Sequence, residues 1–330
     1  MKPLTRKLTA AGTVLALAIP SALLAQDREN WPRSVAIGTA TIGGTLYVYG
    51  GGMAAVIEEF VGVNASVENT GGPVANATLV NQGELEFGLV TMGPAWQAWA
   101  GESEMVPGLE HRNIRALFPM FETPLQIATA GGDSLSALTD LAGKRIGGGS
   151  ATGTASFLMP RIFDALGVEA TLRHASWGDL SRQLGDGMLD VVTYTAGMPV
   201  PALMELEATN AVSLYSLSPD ETDALVAALP FVAGFTVPAG TYSSITEDVS
   251  TVAIWNFAIA HKDLPDDFVY EVVKAVLENN DRMVAAHATA RATLAENVGG
   301  NNFMWLHPGA IRYYREIGID IPDALVPPEG

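Results

Sequence analysis

The feature that most constrains this chain is an internal duplication. Val35-Ala36-Ile37-Gly38 reads as a short buried strand, Thr39 to Thr45 as a small-residue loop, and about Thr45 to Phe60 as a helix. The pattern recurs at Lys144-Arg145-Ile146-Gly147, the loop Gly148 to Thr154, and a helix from about Thr154 to Leu166 stopped by Gly167. Each helix is followed by a second strand candidate, Asn64 to Glu68 and Ala170 to Ala175. Further on, Gly83 to Thr91 matches Gly187 to Thr195, each a glycine turn and then a buried strand with a polar exit. Strands alternating with helices call for parallel sheets covered on both faces. Two such units in the same order predict two similar α/β lobes.

The joins between the units set the expected domain division. Leu125 to Thr129 is a strand candidate after Pro124, and Phe235-Thr236-Val237-Pro238 marks a return. The expected lobe I is therefore 26–123 with about 239–330, and the expected lobe II is 124–238. Beyond the return lie a strand at Val252 to Ala260 and helices around Asp266 to Asn279 and Asp281 to Glu296. Periodicity leaves open which lobe owns that strand.

The amino terminus speaks to compartment. Lys2, Arg6 and Lys7 precede an apolar run from Leu8 to Leu24, and the chain turns polar after Ala25. This is the pattern of a cleavable export signal, residues 1–25, and predicts a periplasmic mature protein. The run is shorter than a span and is interrupted by Thr9, Gly12, Thr13 and Pro20. Losing those three cations takes the formal charge from −18 to −21. Such a surface repels nucleic acid, whose binding needs clustered Lys and Arg. The chain has no Cys, which excludes disulfides, thiolate metal sites and a Cys nucleophile.

In open α/β sheets, ligands bind beyond the carboxyl ends of the strands. The loops Thr39 to Thr45 and Ser150 to Thr154 both stand there, and each opens a helix. The first N–H groups of a helix are unpaired and sit at its positive dipole end, a natural seat for a carboxylate or phosphate. The competing reading is simple capping, with Thr45 and Thr154 as ordinary cap residues. Thr39, Thr41, Gly43, Gly44, Thr45 and Tyr47 are expected to form one wall of a cleft. Ser150, Thr152, Gly153 and Thr154 would face them, with Thr91, Trp177, Tyr194, Thr195 and Ala196 completing the pocket. Trp177 and Tyr194 also suit plain core packing.

Enzyme motifs fail. Gly38 to Thr45 has P-loop spacing, but Gly44 stands where the phosphate-binding Lys belongs, and neither H-E-x-x-H nor G-x-S-x-G occurs. His111, His174, His261, His287 and His307 are scattered without metal spacing. No cofactor or metal is expected.

Several segments resemble one family. Ile37-Gly38-Thr39 with Gly43 to Tyr47, Thr70-Gly71-Gly72, the Gly147 to Thr154 loop, Pro238 to Tyr242, Val252 to Asn256 and Leu306 to Tyr314 look like the TAXI-type solute-binding proteins of TRAP transporters. The resemblance runs from about Ser34 to Gly318. It implies a type II periplasmic-binding-protein fold that closes on its ligand and delivery to an ion-gradient-driven TRAP permease; the receptor is expected to be a monomer. It also implies small carboxylate ligands, glutamate and 2-oxoglutarate among them. The chain departs from the pattern at Thr91-Met92-Gly93, where many relatives have Gln-Ser-Asp, and at Phe121 and Trp177, usually Tyr and Phe. These changes make the pocket less polar and detach the ligand's identity from the family's. A ligand-loaded sensor docking on a membrane kinase would use the same fold and pocket; an enzyme on this scaffold would need an acid or base that the loops do not supply.

Overall fold

The computed structural model describes residues 28–328 apart from 104, 133 and 230; the expected export signal lies outside them. The first unit runs β1 (Ser34–Gly38), α1 (Thr45–Val56), β2 (Asn64–Glu68), α2 (Pro73–Asn81), β3 (Phe87–Thr91) and α3 (Met92–Trp99). A long strand, β4 (Ile114–Ala130), leads away from it. The second unit repeats the order as β5 (Ile146–Gly147), α4 (Thr154–Leu166), β6 (Leu172–Arg173), α5 (Trp177–Gly185), β7 (Val191–Thr195) and α6 (Pro201–Glu207). Then come β8 (Val212–Leu214), α7 (Pro219–Ala228), β9 (Ala233–Val237), the long β10 (Val249–His261), α8 (Asp266–Glu278), α9 (Asn280–Ala286) and α10 (Pro308–Glu316).

The duplication extends to strand pairing. In the first half β1 lies between β2 and β3, all parallel; in the second β5 lies between β6 and β7, all parallel. Each half is finished by one antiparallel strand, β10 beside β3 and β4 beside β7. The two long strands also pair with each other, joining the halves in the order β2-β1-β3-β10-β4-β7-β5-β6. β3 and β7 are buried at every position, as fits strands covered on both faces.

Both long strands serve both halves. β10 pairs with β9 over 249–253 and with β3 over 256–260, so the strand whose ownership periodicity left open is shared. β4 runs straight through Pro119 and Pro124 rather than starting after the second. Pro119 lies beside a register shift against β10, and Pro124 lies where β4 exchanges β10 for β7, positions where a missing N–H interrupts the ladder least.

The expected helix from Asp281 to Glu296 is broken. α9 ends at Ala286, and two 3-10 segments, Ala288–Ala292 and Ala295–Gly300, replace the rest. His287 is the cause: it is extended, its Nδ1 accepts from the Thr289 N–H, and its Nε2 bonds the Pro199 carbonyl at 3.0 Å. A tertiary contact overrides the helix propensity of an Ala-rich stretch.

Candidate functional site

A small cavity lies where the two halves meet, beyond the carboxyl ends of their parallel strands. Its volume is about 30 Å³, and it is lined by Ala40, Thr41, Gly44, Thr45, Leu46, Gly71, Pro73, Thr123, Ser150, Gly153, Thr154, Trp177, Thr195 and Ala196. That is room for about two water molecules, less than a four-carbon acid fills. None of these residues is ionisable. Three helices that lack a side-chain cap begin at its wall, α1 and α2 from the first half and α4 from the second, while α5 begins there at Trp177 and is capped by Ser176. The N-cap positions of the three are Gly44, Gly72 and Gly153. The positive dipole ends of three helices therefore face a cavity where no cation stands, although α2 begins with Pro73 and spends its Val74 N–H on the Thr152 carbonyl.

Thr45 and Thr154 are not caps. Each is the first residue of its helix, and its hydroxyl crosses to the opposite half: Thr45 donates to the Gly197 carbonyl after β7, and Thr154 bonds the Thr91 hydroxyl at the end of β3 at 2.7 Å. Each repeat thus sends the first hydroxyl of its helix across the seam, one to a backbone carbonyl and the other to a side-chain hydroxyl. Backbone seals the seam as well. The Val74 N–H donates to the Thr152 carbonyl at 3.2 Å and the Ala202 N–H to the Gly43 carbonyl at 3.3 Å. Gly71 and Gly72 have φ of 94° and 138°, and a Cβ on Gly71 would lie 2.7 Å from the Thr152 hydroxyl. Only glycine gives both that backbone and that approach.

A buried hydroxyl chain fixes who donates to whom. Asn256 Nδ2 donates to the Phe121 carbonyl at 2.8 Å and to Thr123 Oγ1 at 2.6 Å, which leaves its Oδ1 to accept from Thr91 at 2.9 Å. Thr91 has then spent its proton, so Thr154 must donate to it. Thr123 accepts from Asn256 and keeps its own proton for the cavity. Thr195 goes further. Only 6% exposed, its Oγ1 is buried and makes no hydrogen bond with any described residue.

Thr41, Gly44, Thr45, Ser150, Gly153, Thr154, Trp177, Thr195 and Ala196, all expected at the site, line the cavity. The other expected residues stand around it. Thr39 is fully buried and its hydroxyl donates to the Glu68 carbonyl at 2.7 Å. Gly43 abuts Gly178 in the opposite half, and Tyr47 is half-buried in the first turn of α1. Thr91 supports Thr154 from behind, and Thr152 lies 3.3 Å from the Ser150 hydroxyl. Tyr194 is fully buried, bonds Ser181 at 2.6 Å and packs on Trp177 with ring centroids 5.1 Å apart. Burial raises its phenol pKa above the ordinary value. Trp177 in turn lies against Gly44, whose added Cβ would sit 3.0 Å from its Cδ1. Arg173 is exposed and is not in the lining.

Sequence reasoning missed Ala40, Leu46, Gly71, Pro73 and above all Thr123. Strand alternation around Phe121 could have indicated the last, since 121 and 123 share a face. Among the described residues no group of three or more His, Asp or Glu could hold a metal ion, and no helix is long and apolar enough to cross a membrane.

Two α/β halves joined by two shared antiparallel strands, with a cavity at the seam, define a type II periplasmic-binding-protein fold. The chain belongs to the NMT1-like family, whose model matches residues 37–318. Among solved structures it is similar to MatC of Rhodopseudomonas palustris with bound malate, at 16% identity and a TM-score of 0.57, covering 87% of this chain and 97% of that one. It is also similar to the periplasmic binding protein BugD, at 15% identity and 0.56, covering 88% and 99%. A further similar structure is a periplasmic transporter at 13% identity and 0.52, covering 86% and 92%. At these identities the shared property is the fold.

Proposed function

We propose that this chain is an exported, periplasmic receptor that captures a small organic carboxylate between its halves and delivers it to a TRAP-type permease. It acts as a monomer and catalyses nothing. The observation that carries this reading is the lining of the cavity. Three helix N-termini without side-chain caps, the orphaned Thr195 hydroxyl and the spare proton of Thr123 all offer positive character to one point, and no carboxylate lines the cavity. Such a site favours an anion without needing Lys or Arg. The malate bound to the similarly folded MatC supports an acid as ligand.

In this reading the Thr residues divide their work. Thr123 and Thr195, with Thr41 and Ser150 at the rim, donate to the ligand. Thr45 and Thr154 fasten the halves to each other around it. Lobe I is 26–123 with about 239–330, apart from the start of β10 that pairs with β9 of lobe II, lobe II is 124–238, and the shared strands bend to open the cleft. A cavity this small requires opening before a solute enters, so binding and closure are one event.

A thermal-shift panel tests the proposal. Mono- and dicarboxylates are expected to raise the melting temperature, and a ligand at 100 times its Kd adds about 2.7 kcal/mol. Stabilisation by sugars, polyamines or metal ions alone would refute it.

A further inference from the structure

A second, larger cavity of about 920 Å³ lies on the other face of the two shared strands. Strand alternation produces the separation: Thr123 faces the seam cavity, while its neighbour Glu122 faces this one, with Trp255 paired to it on β10. Trp96 of α3 supplies one wall from the first half, Arg161 of α4 another from the second, and Phe303 closes an end. The walls are aromatic and accessible. Trp96 is 42% exposed, and Trp255 and Phe303 are half-buried. The volume is in the range of small-molecule sites.

The charges in this cavity are unbalanced. Glu122 is half-buried and makes no hydrogen bond or ion pair with any described residue, and burial raises its pKa above the ordinary carboxylate value. The nearby cation is already engaged: the Arg161 guanidinium lies 4.0 Å from the Phe157 ring centroid and donates to the Phe157 carbonyl at 2.7 Å. Asp164, exposed at the rim, is the second carboxylate of the lining, and the half-buried Glu122 among indole and phenyl faces is what an organic ammonium with a flat apolar body would seek. The carboxylate takes the N–H donors, and the rings take both the apolar body and part of the charge.

We propose that this cavity is a second binding site, for an aromatic or otherwise flat organic ammonium, separate from the seam cavity and of opposite charge preference. Calorimetric titration of the full mature chain tests it, with tryptamine as the cationic probe and indole-3-acetate as the anion of similar shape. Tryptamine is expected to bind one to one and indole-3-acetate not to bind here. Glu122→Gln is expected to weaken tryptamine about 10- to 150-fold, the loss of one hydrogen bond to a charged group. Trp96→Ala should weaken it as well, whereas Thr195→Val in the seam cavity should leave it unchanged. No saturable tryptamine binding up to millimolar concentration, or equal binding to the parent and Glu122→Gln, would overturn the proposal. Neither result bears on carboxylate binding at the seam, because no seam residue is altered in that comparison.

Discussion

Thr195→Val separates stability from binding by sign. The Thr195 hydroxyl is buried and bonds no described residue, and an unsatisfied buried polar group costs about 1–3 kcal/mol. Val has nearly the shape of Thr and suits a buried strand such as β7. The ligand-free protein should therefore gain about 1 kcal/mol in urea unfolding. A ligand carboxylate would have satisfied that hydroxyl, so its loss should weaken binding by about 1.5–3 kcal/mol, or about 10- to 150-fold in Kd by calorimetry. Thr193, two residues earlier on the same face of β7, is the internal control. Its hydroxyl donates to the Gly147 carbonyl at 3.2 Å, so Thr193→Val should lose about 1 kcal/mol of stability and leave affinity alone. If Thr195→Val destabilises the empty protein and binds the carboxylate as tightly as the parent, the reasoning is wrong.

Other outcomes follow from the same geometry. Gly44→Ala crowds the Trp177 ring while its φ of −99° suits any residue, so carboxylate affinity should drop with little change in the unfolding midpoint of the empty protein. Thr45→Val and Thr154→Val each remove one bond across the seam, worth about 0.5–1.5 kcal/mol, and should enlarge the ligand-free radius of gyration in X-ray scattering. His307 is fully buried, and burial lowers its pKa from 6.5 to about 4. The folded state thus binds the proton less well than the unfolded one. Its contribution is complete above pH 6.5 and is lost as the pH falls toward 4, by at most about 3 kcal/mol. Urea midpoints at pH 7 and 4.5 should show the loss, and His307→Gln should reduce it.

Local pattern carried much of the architecture. The repeat of strand, glycine loop and helix was visible because each unit needs the same local devices: a buried apolar run, a small-residue turn, and a stop such as Gly167, whose φ is 64°. α4 begins and ends where its periodicity and that glycine place it. What could not be read was whatever depends on the meeting of the halves. Thr45 and Thr154 look like caps in sequence, yet their hydroxyls are drawn off by Gly197 and Thr91. His287 sits in a stretch rich in helix formers, and a carbonyl 88 residues away in sequence decides its conformation. Thr123 lies inside a strand with no loop signal, and its place at the seam follows from β4 exchanging β10 for β7 just beyond it. Distant partners leave no periodic mark.

Native mass spectrometry of the protein as purified tests the central claim most directly. The expected result is a one-to-one adduct whose released molecule is a small carboxylic acid, retained by the parent and lost from Thr195→Val. A released sugar, polyamine or metal ion held equally by both proteins would contradict it.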